Sequence, residues 1–204
     1  MPWSTWRWCR PTDEAVAGGS SLPLYLVKKL LSELERKSVE AFRQADKRPL
    51  RVVLDNVRSM HNVGSVFRSA DAFLVEGLDL CGYTPCPPHR DIHKTALGAT
   101  ETVTWQSFPD AAERVRVLRA EGYAVWAVEQ AHGSLLLHQW EGLQGQRQAV
   151  VFGNEVEGIQ EEVLQACSGC LEIPQLGMKH SLNISVAAGI VLWELCRPYF
   201  SEQI

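Results

Sequence analysis

The stretch LDNVRSMHNVGSVFRSADA, residues 54–72, decides how this chain folds. The apolar run LRVVLDNV (50–57) feeds into it and reads as a buried strand. After a short polar break, Val63, Val66, Phe67, Ala70 and Phe73 recur at helical spacing and form a core face, while His61, Gly64 and Arg68 line another. Asn62 falls where the cap of that helix is expected. The segment is therefore a strand-to-helix junction carrying Asn62, Gly64 and Arg68. VVFGNEVEG (150–158) repeats the logic, an apolar strand opening into a Gly-bounded polar loop. IPQLGMKHSLNISVAAG (173–189) ends a strand and starts a helix with Ser181 and Asn183. Three such junctions point to one site built from loops at the edge of a sheet, where open parallel sheets bind ligands.

Working outward, apolar residues Leu26, Leu30, Leu34, Val39 and Phe42 predict an amphipathic helix or helix pair over 22–45, ending before Pro49. LDLCG (78–82) reads as a second strand. The long loop after it carries Pro85, Pro87, Pro88, His89, Arg90, His93 and Lys94, and long loops of this kind are commonly functional. A helix follows over 110–120, a strand over 123–129, a helix over 159–166, the strand CLEIPQ (170–175) and a last helix over 181–196. Strands alternating with helices imply an α/β fold whose parallel sheet is covered on both faces. The expected organisation is a flexible leader over 1–21, a helical segment over 22–48 and one α/β domain over 49–204.

At 204 residues and 46% hydrophobic content the chain has the size and composition of a globular domain. Its longest apolar run, 184–193, is broken by Ser185 and Gly189. It falls short of the roughly 20 continuous apolar residues of a membrane span. The first residues, MPWSTWRWCRPTDEAVAGGSS, lack the apolar core of a secretory signal. Trp3, Trp6 and Trp8 there read either as a partner-binding patch or as part of an unstructured leader. Six cysteines without an export signal argue for reduced thiols and a cytoplasmic location. Cys167 and Cys170 form a CxxC, with Cys81 and Cys86 on another loop, yet that second spacing is loose for a zinc knuckle. Buried small hydrophobes are the preferred reading, and no metal is expected.

The net charge of −4 does not advertise a nucleic-acid partner. Its distribution is more informative, because residues 28–51 carry eight basic against four acidic side chains and are followed by Arg58 and Arg68. A local basic surface holds a phosphate backbone even on an acidic protein; a solvated helix face is the alternative.

The patterns NxGSVFRxADAF, VFGNExEG and IPxxGxxxSLNxSVAAGI, in this order, resemble the three signature motifs of SpoU/TrmH-type RNA methyltransferases of the SPOUT superfamily. One GNE would be a weak signal; the ordered triple, in its strand and helix contexts over 56–189, is specific. The resemblance implies a homodimer that transfers a methyl group from S-adenosylmethionine to a ribose 2′-hydroxyl of tRNA or rRNA. It also implies a parallel-sheet fold with a C-terminal trefoil knot, a rare exception among protein topologies. By the same resemblance the cofactor is held by Phe152, Gly153, Asn154, Ile173, Pro174, Leu176, Gly177, Ser181 and Leu182. The catalytic set it implies is Asn62, Arg68, Glu155, Ser181 and Asn183.

A ribose hydroxyl needs a group to hold the RNA, a group to manage its proton and a rigid cofactor cradle. Arg68, one turn after a residue with no side chain, suits the first role. Its guanidinium keeps its proton, so fixing phosphate and stabilising a developing oxyanion is easier for it than acting as a base. Asn62 either caps its helix or serves the site, or both. Glu155 is placed to pair with Arg68 or to accept a hydrogen bond from substrate, and Asn154 to hold its turn. Asn183, in an apolar context, must find partners. Arg58, Arg68, Arg90, His93 and Lys94 are the candidate RNA contacts, with Lys179 and His180 near substrate or cofactor carboxylate. Three rivals remain: an RNA-binding protein of the same fold without catalysis, a dinucleotide-dependent oxidoreductase and a zinc or redox protein. The joint presence of the five catalytic candidates speaks against the first. No GxGxxG follows a strand, which speaks against the second.

Overall fold

The computed structural model describes residues 28–30, 33, 37–141, 145–179 and 181–200. The chain divides into two compact units, Met1–Arg36 and Lys37–Ile204. The leader with Trp3, Trp6 and Trp8, most of the helix expected over 22–36, and His180 lie outside the described residues. Residues 28–30 are not helical and Glu33 sits in a 3-10 turn. Among the described residues the helix expected over 22–45 is found as α1, Val39–Gln44, where Ser38 accepts from the Ala41 N–H and caps the start.

Among the described residues, seven strands form one parallel sheet in the second unit. They are β1 (Arg48–Asp55), β2 (Val75–Cys81), β3 (Trp105–Phe108), β4 (Ala124–Val128), β5 (Leu135–Leu136), β6 (Gln148–Phe152) and β7 (Gly169–Glu172). Their spatial order is β3-β2-β1-β6-β4-β7-β5. Alternation along each strand supplies two cores. Val52, Leu54, Leu78, Leu80, Val150 and Phe152 face one side. They pack there against α2 (Met60–Ala72) and α7 (Ile184–Cys196), with α3 (Arg90–Ala96) and α4 (Ala99–Thr102) against α2. Val53, Val125, Ala127, Ala149 and Val151 face the other side, covered by α5 (Ala111–Ala120) and α6 (Glu161–Ala166). Because both faces are buried, the central strands read as continuous apolar runs.

Three features depart from the sequence expectations. β3 and β5 were not foreseen: β3 is a half-exposed strand with polar side chains, and β5 has two residues, so neither shows a buried run. The loop over 83–101 contains α3 and α4. Its prolines all precede α3, whose start is capped by His89 Nδ1 accepting from the Asp91 N–H at 3.2 Å. The last helix begins at Ile184 rather than Ser181, because Asn183 is its cap and accepts from the Ser185 N–H at 2.8 Å.

Gly64 is what brings α3 onto α2. A Cβ at this position would collide with Thr95 Oγ1 and the Ile92 carbonyl. The missing side chain therefore buys a close helix crossing rather than an open path for Arg68. Thr95 Oγ1 also donates to the His61 carbonyl at 3.0 Å, pinning the two helices together.

Candidate active site

The carboxyl ends of β1, β4, β6 and β7 open onto one edge of the sheet. Chain direction diverges between neighbours β1 and β6: β1 continues through α2 on one face, β6 through α6 on the other. This is the crevice where parallel sheets place ligands. A cavity of about 520 Å³ lies beside it, at the carboxyl ends of β4, β6 and β7, within the range of small-molecule sites.

The loop over 153–158 forms one wall. Asn154 Oδ1 accepts from the N–H groups of Val156 (2.8 Å) and Glu157 (3.1 Å), folding the loop into a side-chain-held turn. The backbones of Asn154 and Gly158 close it with two 3.0 Å hydrogen bonds. A Cβ on Gly153 would strike the Gly158 carbonyl group and Ile159 N, so the turn can only be this tight with glycine there. The same Asn154 uses its Nδ2 to reach the Asn56 carbonyl and the Tyr83 hydroxyl, both at 2.8 Å.

The turn aims Glu155 at the start of α2. Its Oε2 accepts from the Arg58 N–H (2.9 Å), and its Oε1 from the Ser59 N–H (3.0 Å) and Asn62 Nδ2 (2.8 Å). Burial works against ionisation of this carboxyl. The Arg58 N–H, the Asn62 amide and the Ser59 N–H outweigh it and hold the carboxyl below the usual carboxylate range. An ionised side chain at a helix N-terminus is also favoured by the helix dipole.

Asn62 then passes the chain of contacts on. Its Oδ1 accepts from Asn183 Nδ2 at 3.1 Å, and Asn183 Oδ1 accepts from Ser185 Oγ at 2.6 Å. The three junctions identified in the sequence are thereby joined by one run of side-chain hydrogen bonds, Glu155–Asn62–Asn183. Two expectations are corrected here. The cap of α2 is Ser59, whose hydroxyl accepts from the Asn62 N–H at 3.3 Å, so the Asn62 side chain is free to face the site. Glu155 does not pair with Arg68, because its lone pairs are engaged by the start of α2.

Of the cofactor candidates, Phe152, Gly153, Asn154, Ile173, Ser181 and Leu182 line the cavity, as do Glu155 and Asn183. Pro174, Leu176 and Gly177 lie on the connecting segment but do not line it, whereas Gln175 does. The segment is extended past β7, so alternate side chains face opposite ways, leaving Pro174 and Leu176 exposed. Val128, Glu129 and Gln130 also line the cavity. Sequence reasoning passed over Glu129, although an acid ending an apolar strand was its signal. Glu129 accepts from the N–H groups of Gln130 (2.9 Å) and Ile159 (3.2 Å), bracing the far end of the turn. Asp55 and Asn56 were missed in the same way. Burial raises the pKa of the Asp55 carboxyl, with the Gln160 N–H and the Asn56 amide offsetting part of that effect.

Arg68 lies on the outer face of α2, exposed, and makes no ion pair or hydrogen bond among the described residues. It is not in the Glu155–Asn62–Asn183 chain. Arg58, at the entry to α2, and Arg90 and His93, on α3, are exposed as well. Lys94 is held by Asp91 at 2.6 Å. α3, which carries Arg90, His93 and Lys94, packs on α2 at Gly64, one turn before Arg68. The thiols stand apart. Burial pushes Cys81 and Cys167 up to about 12 and Cys196 up to about 11. Among the described residues no group of His, Cys, Asp or Glu is arranged to hold a metal ion.

Residues 49–193 match the SpoU rRNA Methylase family. The chain is 31% identical, over 81% of its length and 84% of the relative's, to a tRNA (guanosine(18)-2′-O)-methyltransferase of Thermus thermophilus. It is 29% identical, over 91% of its length and 74% of the relative's, to the 23S rRNA (guanosine-2′-O-)-methyltransferase RlmB of Vibrio parahaemolyticus. Its structure resembles that of an AdoMet-bound rRNA methyltransferase from Sinorhizobium meliloti. The TM-score is 0.69 at 28% identity, covering 80% of this chain and 61% of that one. With the three junctions, their linking hydrogen bonds and the cavity bordered by the second and third in place, the chain belongs to the SpoU rRNA methylase family.

Proposed function

We propose that the protein transfers a methyl group from S-adenosylmethionine to a ribose 2′-hydroxyl of tRNA or rRNA. The observation that carries this reading is the Glu155–Asn62–Asn183 chain beside the cavity, which holds the three family junctions in one arrangement. The cavity fits the cofactor's needs. It has the volume of a small-molecule site, residues 152–159, Ile173, Gln175 and Ser181–Ile184 in its walls, and apolar Phe152, Ile173, Leu182 and Ala187 for an uncharged ring. Bound there, S-adenosylmethionine would supply an electrophilic methyl group, which would pass from its sulfur to the ribose 2′-oxygen as the hydroxyl proton leaves to solvent, with S-adenosylhomocysteine as the other product.

The protein's own residues set the geometry of that step. Glu155 is a positioning group: with three donors on its carboxylate, it fixes the loop over 153–158 against the first turn of α2. Asn62 and Asn183 are oriented by it and by Ser185, and present amide groups next to the cavity. Ser181 borders the cavity with its hydroxyl available for a hydrogen bond to substrate or cofactor. Arg68 is an unpaired cation, free to hold an RNA phosphate or to stabilise the developing oxyanion. Positioning of this kind supplies up to about 7–11 kcal/mol of barrier reduction in well-oriented systems. Arg58, Arg90, His93 and Lys94 extend the cationic flank for RNA.

The proposal includes a homodimer and a C-terminal trefoil knot. Support for the dimer comes from α7, where Val186, Ile190 and Trp193, following Leu182, form an exposed apolar stripe at helical spacing. A cytoplasmic place of work is supported by the tRNA- and rRNA-modifying relatives. The test is transfer from methyl-labelled S-adenosylmethionine to undermodified total RNA, followed by nucleoside mass spectrometry. A 2′-O-methylated nucleoside is expected. Label found only on a base, or no transfer by a protein that binds the cofactor, would overturn the proposal.

A further inference from the structure

Tyr83 stands at the active-site edge and is used by none of the roles above. It follows β2 by two residues and is 58% exposed. The polar end of the side chain is nonetheless committed, because Asn154 Nδ2 donates to its hydroxyl at 2.8 Å. Its backbone N–H donates to Asn56 Oδ1 at 3.2 Å. The next residue, Thr84, is buried, with its hydroxyl donating to the Cys81 carbonyl at 2.7 Å and accepting from the Val57 N–H at 3.1 Å. Both the backbone and the tip of Tyr83 are thus fixed, and what remains open to water is the ring. Among the described residues that ring makes no aromatic or cation–π contact. An exposed, apolar and immobilised ring costs solvation free energy unless something covers it.

We infer that Tyr83 is a stacking platform for an unpaired nucleobase of the RNA, next to the nucleotide that is methylated. The inference rests on the proposed RNA methyltransferase activity and adds a substrate-contacting residue to it. Three placements favour a base over other occupants. The hydroxyl is tied to Asn154, inside the loop that carries Glu155 and lines the cavity. Asn56, which holds the backbone of Tyr83, precedes the exposed cation Arg58 by two residues, so a cation able to meet the RNA backbone lies close by in the chain. An anchored ring loses little conformational freedom on binding, which favours flat aromatic partners. Stacking of a base on an aromatic side chain tolerates any base, so Tyr83 would favour single-stranded or splayed RNA rather than one sequence.

The test compares Tyr83→Phe and Tyr83→Leu with the wild-type full chain. The substrate is the RNA fraction that the wild-type protein methylates best from an undermodified total pool. Phe keeps the ring and loses the tether; Leu keeps apolar volume and loses the ring. Tyr83→Leu is expected to lower kcat/KM for RNA by about tenfold, within the range that loss of one base–aromatic stack produces. Tyr83→Phe should stay within about threefold of wild type, and calorimetric S-adenosylmethionine affinity should hold within about twofold for both. A Leu variant as active as wild type would overturn the inference. So would a Phe variant that falls as far as Leu, or a parallel loss of cofactor affinity, since each assigns Tyr83 to bracing Asn154. Failure of the wild-type protein to methylate any RNA would instead defeat the activity proposed above, and is read separately.

Discussion

Replacing Glu155 with alanine removes one acceptor from three donors, the N–H groups of Arg58 and Ser59 and the amide of Asn62. Loss of a capping acceptor costs about 1 kcal/mol, and the Asn62 hydrogen bond to a charged group adds about 1 kcal/mol once solvent exposure is allowed for. The combined loss of about 2 kcal/mol corresponds to a Tm decrease of about 4–8 °C in a domain of this size. The sign with pH follows from the direction of the shift. The folded carboxyl titrates below its unfolded value of about 4.3, so its contribution is complete above that value and is lost as pH falls through the lower folded pKa. The Tm gap between wild type and Glu155→Ala, read by differential scanning calorimetry, is therefore widest from pH 6 to 8 and narrows towards pH 3. A gap that stays constant down to pH 3, or no gap at neutral pH, would refute the assignment of Glu155 as an ionised brace of α2.

Arg68→Ala is expected to leave the folding stability within about 0.5 kcal/mol of wild type, as for an exposed residue with no partner among the described residues. Methyl transfer should fall about a hundredfold or more; an active variant would remove Arg68 from the site. Asn183→Ala breaks both the contact to Asn62 and the cap of α7, so transfer and folding stability are both expected to fall, the latter by about 1 kcal/mol as judged from urea titration. Gly64→Ala places a methyl group against Thr95 and the Ile92 carbonyl, with an expected cost of about 1–3 kcal/mol in the same measurement. Cys81, Cys167 and Cys196, whose pKa values burial has raised to about 11–12, should resist iodoacetamide at pH 8 in the folded protein. Mass spectrometry of the intact and the denatured chain reads this directly, and rapid labelling of the native state would contradict the burial.

The layout of the sheet was legible because β6 and most of β1 are buried on both faces and β4 is buried on one and half-buried on the other, which leaves uninterrupted apolar runs in the sequence. β3 and β5 escaped for the converse reason: edge strands with few buried side chains carry no such run. The site was legible as a set of junctions, and Asn62, Glu155 and Asn183 do meet. Their wiring was not. Which of two polar residues three apart caps a helix is settled by competition with tertiary partners, and Glu155 draws the side chain of Asn62 away while Ser59 takes over the cap. The long loop after β2 read as irregular because its prolines are conspicuous, while the short helices behind them bury only Ile92, Ala96 and Ala99. Glu129, Asn56 and Tyr83 act through backbone groups and neighbours distant in sequence, and no local pattern marks such partners.

The brace between the loop over 153–158 and the start of α2 has a thermodynamic consequence. One end of that brace belongs to the wall of the cavity, the other to the helix that carries Arg68. A ligand that draws the loop inward must strain or reinforce the same hydrogen bonds that set the pitch of the helix entrance. Linkage then requires reciprocity: if RNA bound along the helix tightens the hold on the small molecule, the small molecule tightens the hold on RNA by the same factor. Cutting the brace would let each site keep its ligand while becoming indifferent to the other.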